Sequence, residues 1–344
     1  MHSHRSTIQS RVLRVLSAGL ATILPLAMVI ADTPGANAGA PEAPGPGDAP
    51  VMTWRGIEVV GDDPEVARQI RLLLPVKEGE QWSLESLPTH ESWCDSVRHR
   101  FPELEVRCSH VVMQGQSAFY VVETNRPPFP AFPSRCSPRA PKLSADLRKR
   151  ASDFDALLER VITTSSGSFS EVVNEKKFLD YANPELHDFA NSTFELIRHR
   201  MSELLRAARS CDADSRAHAA LLLNFAGSPI DAITAGSQGV LDPDVAVRNN
   251  SSRLLDTFLP YLEDARTVPR LVAALCTQLT IPTFLDRNKA LGALAVMTRT
   301  HGDWRRYIGS RCGEAVRSIA TNGVSISPQI QGAAAAITDA LRGS

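Results

Sequence analysis

The sequence predicts a multidomain α+β protein in which a small β-α-α-β-β domain is followed by an all-α helical repeat solenoid. Three observations predict this fold class. An Arg-flanked apolar run opens the chain, a proline-rich spacer at residues 127–142 divides the rest, and the regular segments after Ser144 have the helical period. The 344 residues suffice for about two domains of ordinary size once a leader is removed.

Residues 1–38 have the layout of a secretory signal peptide. Three arginines precede an apolar run at residues 15–31. A small-residue cleavage pattern, Ala-Asn-Ala, follows at 36–38, with Val-Ile-Ala at 29–31 as an earlier alternative. The alternative is an uncleaved membrane anchor, because the run lies at the lower edge of a spanning length. The Ala/Gly/Pro-rich segment 39–50 is expected to be disordered. No cysteine precedes Cys94, which excludes a lipid-anchored lipoprotein.

Residues 51–126 are predicted to fold as a β-α-α-β-β domain. A β-branched stretch at 54–60 ends in a Gly-Asp-Asp-Pro turn that can cap a helix, so a strand leads into a helix. After that helix, a second one is predicted over residues 84–100. Alternating apolar and polar residues at 104–112 then predict a half-buried strand, and a last strand is predicted at 117–123.

Three short motifs characterise this domain: Ile-Glu-Val-Val-Gly at 57–61, Val-Lys-Glu-Gly-Glu at 76–80 and Phe-Tyr-Val-Val-Glu at 119–123. On these motifs the segment resembles a POTRA domain, the small periplasmic module of outer-membrane assembly, secretion and division proteins. The resemblance implies a three-stranded sheet whose exposed edge can accept an extended segment of another chain. The alternative is that this edge only packs on the neighbouring domain. No barrel-like strand pattern follows, so a translocation pore is not expected.

Four side chains of this domain are predicted to converge. His90 and Cys94 lie four residues apart on the second helix, and Cys108 and His110 lie two apart on the next strand, so each pair shares a face. Two imidazoles and two thiolates suit a tetrahedral Cys2His2 zinc site. The alternative, which export favours, is a disulfide between Cys94 and Cys108 with two incidental histidines beside it.

The spacer at residues 127–142 is expected to separate two domains that share little core. The segment 143–344 is predicted to be α-helical, without strands. It contains a weak internal repeat, since four stretches start with polar residues and continue through small residues to aliphatic ones. These stretches are residues 214–223, 246–255, 286–294 and 329–337.

The stretch Leu-Asp-Pro-Asp-Val-Ala-Val-Arg at 241–248 resembles a HEAT-type or armadillo-like helical repeat, and the resemblance extends over residues 185–341. It implies that Asp242 lies in the turn between paired helices and that Arg248 hydrogen-bonds to the adjacent repeat. It implies the same role for Arg216 and Arg287. Stacked helix pairs bury one continuous core and offer an extended surface suited to binding a protein.

All six cysteines lie beyond the leader, and an even number fits disulfides formed in an oxidising compartment. Cys276 and Cys312 lie on first helices of neighbouring repeats, so stacking could bring them together. Cys136 in the spacer and Cys211 before a repeat remain as the other candidate pair.

The sequence contains no recognisable catalytic motif, such as His-Glu-x-x-His, Gly-x-Ser-x-Gly or a glycine-rich phosphate loop. Aspartates such as Asp212 and Asp244 are predicted to be turn and cap residues. The formal net charge of -1 argues against a nucleic-acid partner.

We therefore expect a non-catalytic protein-binding scaffold of the bacterial envelope, periplasmic or secreted, that needs no cofactor. It would contact a membrane only if the leader stayed uncleaved. The alternatives are a zinc-binding module and an enzyme whose active site assembles from distant residues.

Overall fold

The computed structural model describes residues 51–83, 86–113, 117–126, 136–164, 170–262, 265–300 and 302–343. The predicted leader, the segment 39–50 and most of the proline-rich spacer lie outside these residues, so the predictions made for them are not addressed by the structure.

A four-stranded mixed sheet forms the centre of the first domain. In chain order the elements are β1 (Val51–Val60), α1 (Pro64–Leu73), β2 (Gln81–Ser83), α2 (Leu87–Arg100), β3 (Glu105–Met113) and β4 (Ser117–Asn125). The strand order is β2-β1-β4-β3, in which β1 runs parallel to β4 and the other neighbours are antiparallel. The predicted β-α-α-β-β order is present, with the short strand β2 added between the helices.

The second helix begins at Leu87, three residues later than the sequence predicted, and the short strand β2 precedes it. Trp82 of β2 is buried, and its ring stacks on Trp54 of β1 with 4.5 Å between the ring centroids. A strand of three residues is too short to show a pattern, so the sequence could not predict this contact between distant residues. The start of α1 agrees with the helix cap predicted from the sequence, because the Asp63 carboxylate accepts the N–H groups of Glu65 and Val66.

Both faces of the central strands β1 and β4 are buried, whereas the edge strand β3 is half-buried, as its alternating pattern predicted: Val106 is buried and Arg107 is exposed. One face, which includes Ile57 and Tyr120, packs on α1 and α2 in the core of the first domain. The opposite face joins the core of the helical part through Val60, Val111, Phe119 and Val121. The sheet is therefore a layer between its own helices and those of the second domain.

The second domain is an array of ten described helices. They are α3 (Ala145–Thr164), α4 (Pro184–Ile197), α5 (Met201–Ala207), α6 (Ala213–Leu222), α7 (Pro229–Gly239), α8 (Val245–Phe258), α9 (Val268–Leu279), α10 (Phe284–Thr300), α11 (Arg305–Thr321) and α12 (Pro328–Arg342). The helices α6, α8, α10 and α12 contact one another in series, and α7, α9 and α11 pack against that row.

The array also contains a small β-hairpin, which the sequence did not predict. Its strands are β5 (Glu171–Val173) and β6 (Leu179–Tyr181), paired antiparallel. The prediction that no strand follows Ser144 is therefore wrong. Strands of three residues are too short to show an alternating pattern, and β6 is fully buried, so its packing against the array stabilises it.

The two domains share a core, which contradicts the expectation that they are nearly independent. Apolar residues of β1, β3 and β4 belong to the same cluster as α10 and α12, and Val324, just before α12, packs into the core of the first domain. Gly56 interrupts the register of β1 with φ +116°, and a Cβ there would meet Ile326 at 3.1 Å. The composition of the spacer gave no information about how the two domains pack.

Candidate functional site

Buried arginine–aspartate pairs connect successive helix pairs of the array. Arg216 of α6 binds both carboxylate oxygens of Asp242, with Nε–Oδ2 and Nη2–Oδ1 distances of 2.8 and 2.9 Å. Arg248 of α8 binds Asp286 of α10 in the same way, at 3.0 Å for both Nε–Oδ1 and Nη2–Oδ2. The side chains of all four residues are at most 10% exposed. Each arginine therefore ties its own helix pair to the next one.

The third guanidinium nitrogen of each arginine, Nη1, binds the turn before its own helix. Nη1 of Arg216 donates to the carbonyl of Ser210, and Nη1 of Arg248 donates to the carbonyl of Asp242, at 2.8 and 2.9 Å. Two aspartates cap the same helices: Asp212 accepts the N–H of Ser215, and Asp244 accepts two N–H groups at the start of α8. These carboxylates are occupied by helix capping and ion pairing.

Among the described residues, Arg287 hydrogen-bonds to the sheet domain and not to an adjacent repeat, which differs from what the resemblance implied. Its Nη1 donates to the carbonyl of Gly61 at 2.9 Å, and its Nη2 donates to Asp62 at 2.7 Å, so it binds the end of β1. The third arginine of the series thus connects the array to the sheet domain.

Two buried glutamates on the array-facing side of the sheet complete this connection. Glu58 of β1 accepts the N–H groups of Ile326 and Ser327, both at 2.8 Å, just before α12 begins. Glu123 of β4 accepts the N–H of Phe284, the first residue of α10, at 2.8 Å. Each carboxylate therefore satisfies N–H groups at a helix start that have no partner within the helix.

Burial raises the pKa of both glutamates. The pKa of Glu58 rises to about 7 because of burial, although its hydrogen bonds and the nearby Arg71 act in the opposite direction. The pKa of Glu123 also rises to about 7 through burial, partly offset by the N–H of Phe284. Both carboxyl groups therefore change charge near neutral pH while in contact with the array.

The residues proposed for zinc binding do come together, but as a disulfide beside a histidine pair. Cys94 and Cys108 are bonded to each other, so neither sulfur is a thiolate. His90 Nδ1 lies 2.9 Å from His110 Nε2, and the Tyr120 hydroxyl donates to the carbonyl of His90. Within the described ranges, no group of three or more His, Cys, Asp or Glu side chains is arranged to hold a metal ion.

Burial keeps this histidine pair uncharged. It lowers the pKa of His90 to about 4, and burial together with the charge of His90 lowers the pKa of His110 to about 3. One neutral ring therefore donates an N–H to the other. Trp54, Trp82 and Trp93 surround the pair, with 4.3 Å between the centroids of His90 and Trp93. The two histidine rings are therefore packed as part of an aromatic cluster in the core of the first domain.

The other four cysteines form two further disulfides. Cys136 is bonded to Cys211 and Cys276 to Cys312, with Cα–Cα distances of 4.8 and 5.6 Å. The three bonds are the pairs favoured from the sequence. They are consistent with an exported protein in an oxidising compartment. No described helix is both long and apolar enough to cross a bilayer.

A buried charge network around the hairpin was missed by the sequence analysis. Arg253 of α8 binds Glu171 of β5, and its Nη2 lies 3.1 Å from the Tyr181 hydroxyl. On the next turn, Asp256 binds Lys289 of α10 at 2.9 Å. These charges are paired in the interior, as buried charges generally must be, and they hold the hairpin and α10 against α8.

One histidine–aspartate pair resembles part of a catalytic triad. His187 Nδ1 lies 2.8 Å from Asp180 Oδ1, and the Asn191 side-chain amide donates to His187 Nε2 at 3.1 Å. In a triad that second nitrogen would contact a hydroxyl or thiol nucleophile. Among the described residues an amide occupies that position, and the pair connects α4 to β6.

The outer edge of β3 is the feature most suited to binding another chain. Among the described residues, β3 pairs only with β4 along Glu105–Met113. The carbonyl of Val106 accepts a bond from Arg98 of α2 at 3.3 Å. Because Arg98 does not belong to the sheet, we infer that Val106 and the residues of the same parity turn their backbone groups outward, away from β4.

Comparison with known proteins gave no match to a protein-family profile, to a curated protein or to a solved structure.

Proposed function

We propose that this protein is a non-catalytic scaffold that captures an extended segment of a partner protein by adding it as a strand to β3. The observation that carries the proposal is the edge position of β3, which is nine residues long and has no second neighbouring strand among the described residues. An exposed strand edge offers a row of backbone donors and acceptors, which is the basis of β-strand addition.

The attachment of the sheet to the array supports this role. Glu58, Glu123 and Arg287 bond across the boundary, and the apolar face of the sheet packs on α10 and α12. An edge held in one orientation loses less conformational entropy on binding than a mobile one. The stacked helices add an extended surface beside it, as in a HEAT-type or armadillo-like array, on which exposed charges would select the partner.

The cellular setting that we propose is the bacterial envelope, with the first domain acting as a POTRA-like module in the periplasm or after secretion. The three disulfides and the Arg-flanked apolar run at residues 15–31 support export.

A substitution in the β3 edge tests the proposal. Val112 has the outward parity, so Val112→Pro removes an edge donor and leaves the bonds to β4 in place. Capture of partners by the purified protein from envelope extract should fall about ten-fold, which corresponds to one backbone hydrogen bond. Val112→Ala keeps the N–H and is the matched control. Equal capture by the two variants would remove β3 from the binding site.

A zinc-binding module remains the second candidate, because His90, Cys94, Cys108 and His110 occupy one region of the first domain. Zinc binding requires reduced cysteines. Thiol titration of the unfolded, unreduced protein should detect no free thiol if the scaffold proposal is right. Two free thiols together with bound zinc would favour the zinc module.

A further inference from the structure

The helix α2 runs along the outer edge of β3. Residues of three successive turns of the helix each contact a residue of β3 whose side chain faces α2. The contacts are His90 with His110, Cys94 with Cys108, and Arg98 with the Val106 carbonyl. Because the helix residues ascend while the strand residues descend, α2 lies antiparallel to β3.

Further contacts fix the rotation of α2 about its own axis. Arg98 reaches the outer edge of β3, where its Nε donates to the Val106 carbonyl at 3.3 Å. On the other side of the helix, the Trp93 ring lies 5.5 Å from the Tyr120 ring of β4, and Arg100 donates to a side chain of α1 at 3.2 Å. The side of α2 that carries Arg98 therefore borders the space in which a strand added to β3 would lie.

Two exposed carboxylates lie on that side of α2. Asp95 pairs with Arg98 at 2.9 Å, and Glu91 lies one turn before Asp95 on the same side of the helix. Four residues of a helix rise about 6 Å, and two residues of a strand rise about 6.6 Å. The spacing of Glu91 and Asp95 therefore matches that of alternate side chains on one face of an extended chain.

Arg98 shows that this edge binds a cationic donor. Its Nε donates to the Val106 carbonyl while its Nη1 donates to Asp95. An added strand with a basic side chain makes the same two contacts, because its backbone N–H bonds to the edge carbonyl and its side chain reaches the carboxylate. The Arg98 side chain is 51% exposed, so its displacement does not open the core.

We propose that the segment captured at β3 carries basic side chains at alternate positions, which pair with Glu91 and Asp95, and that Arg98 occupies this place in the free protein. The inference rests on the proposed function, because it names the chemistry of the strand that β3 adds. An extended segment with the pattern Lys-x-Lys or Arg-x-Arg has this chemistry. An acidic segment would be repelled by the same two carboxylates.

Two synthetic peptides of the length of β3 test the proposal by fluorescence anisotropy. One alternates Lys with Val, so that its lysines share one face, and the other has Glu in place of Lys. The Lys peptide should bind at least about ten-fold more tightly than the Glu peptide, since it gains two exposed ion pairs. Equal binding of the two peptides would overturn the proposal.

Neutral substitutions locate the effect on α2. Glu91→Gln together with Asp95→Asn should raise the Kd of the Lys peptide about ten-fold. The matched control is Glu78→Gln together with Glu80→Gln, which neutralises two exposed carboxylates elsewhere in the same domain and should leave the Kd unchanged. An equal rise in both double variants would show a general charge effect and contradict a specific role of α2.

Removal of Arg98 gives a test of opposite sign. Arg98→Ala frees Asp95 and the Val106 carbonyl, so the Lys peptide should bind about five-fold more tightly. Arg68→Ala removes the same charge from an exposed pair on α1 and should leave the Kd unchanged. Unchanged or weaker binding to the Arg98→Ala variant would show that Arg98 does not occupy the place of a captured side chain.

The variant Val112→Pro separates this inference from the proposed function. Strand addition predicts that it weakens the binding of any captured peptide, because it removes an edge N–H. Weakened binding of both peptides, without a preference for Lys, would retain strand addition and overturn the charge preference. A Lys preference that Val112→Pro leaves unchanged would place the binding outside β3 and overturn both.

Discussion

Removal of the Arg248 side chain tests whether the buried ion pairs hold the array together. Arg248→Ala breaks a pair in which the side chains are 10% and 3% exposed. It also removes the donor to the carbonyls of Asp242 and Pro243. Breaking a buried pair by removing one partner typically costs about 3–5 kcal/mol. Asp286 keeps bonds from Thr283 and Gln278, so we expect the lower end, about 3 kcal/mol.

Urea unfolding measures this cost, because a stability change shifts the midpoint while the slope stays constant. The control is Arg68→Ala, which removes an arginine from the exposed pair with Glu65 on α1 and should leave the midpoint unchanged. A double-mutant cycle with Asp286→Ala should show that the two single costs do not add. If Arg248→Ala shifted the midpoint no more than Arg68→Ala, the pair would not join the helix pairs.

The other predictions concern the leader, the boundary and the crosslinks. The exported protein should have an intact mass that begins after Ala38, whereas a full-length mass with membrane retention would show an anchor. The fragment 51–126 should aggregate or bind a hydrophobic dye when made alone, because one apolar face of its sheet no longer packs on the helices of the array. A soluble monomer that binds no dye would contradict the shared core. The Glu58 pKa of about 7, against 4.5 for a free side chain, means that the folded state binds more protons between these values. The contribution of Glu58 to the free energy of unfolding is therefore complete below pH 4.5 and is lost as the pH rises through 7, a loss of about 3 kcal/mol. In the Glu58→Gln variant, the contribution of Glu58 to the pH dependence of stability should be absent. The double variant Cys276→Ser with Cys312→Ser should have a free energy of unfolding about 4 kcal/mol lower, which is the entropic stabilisation expected for a crosslinked loop of this length. An unchanged free energy of unfolding would mean that the bond does not form.

The parts of the fold that local patterns determine could be predicted from the sequence. The helix period, the Asp63 cap and the order of the longer elements of the first domain all follow from residues close together in the chain. The strands β2, β5 and β6 could not be predicted, because three residues carry no period and contacts with distant side chains hold them. The shared core was missed because an alternating strand shows which residues are apolar but does not show that a second domain covers its other face.

The candidate site was predictable to a similar extent. Arg216 and Arg248 were found from their place in the repeat pattern. Asp286, the partner of Arg248, was not found, because it lies inside the first turn of its helix, whereas Asp242, the partner of Arg216, precedes one. Glu58 and Glu123 lie within apolar strands, where a lone acidic residue usually indicates a solvent-facing position. Their burial depends on helix starts more than 150 residues away in the chain.

Hydrogen–deuterium exchange on the protein bound to its partner, recovered by crosslinking in the native envelope, tests the central claim most directly. Strand addition to β3 should protect the outward N–H groups of Val106, Cys108 and His110 against exchange. The N–H groups of Arg107 and Ser109 already face β4 by the same parity and serve as internal controls, with little change on binding. Protection that alternates along β3 in this way is the predicted result. Protection confined to the helical array, with β3 exchanging as in the free protein, would contradict capture at the sheet edge.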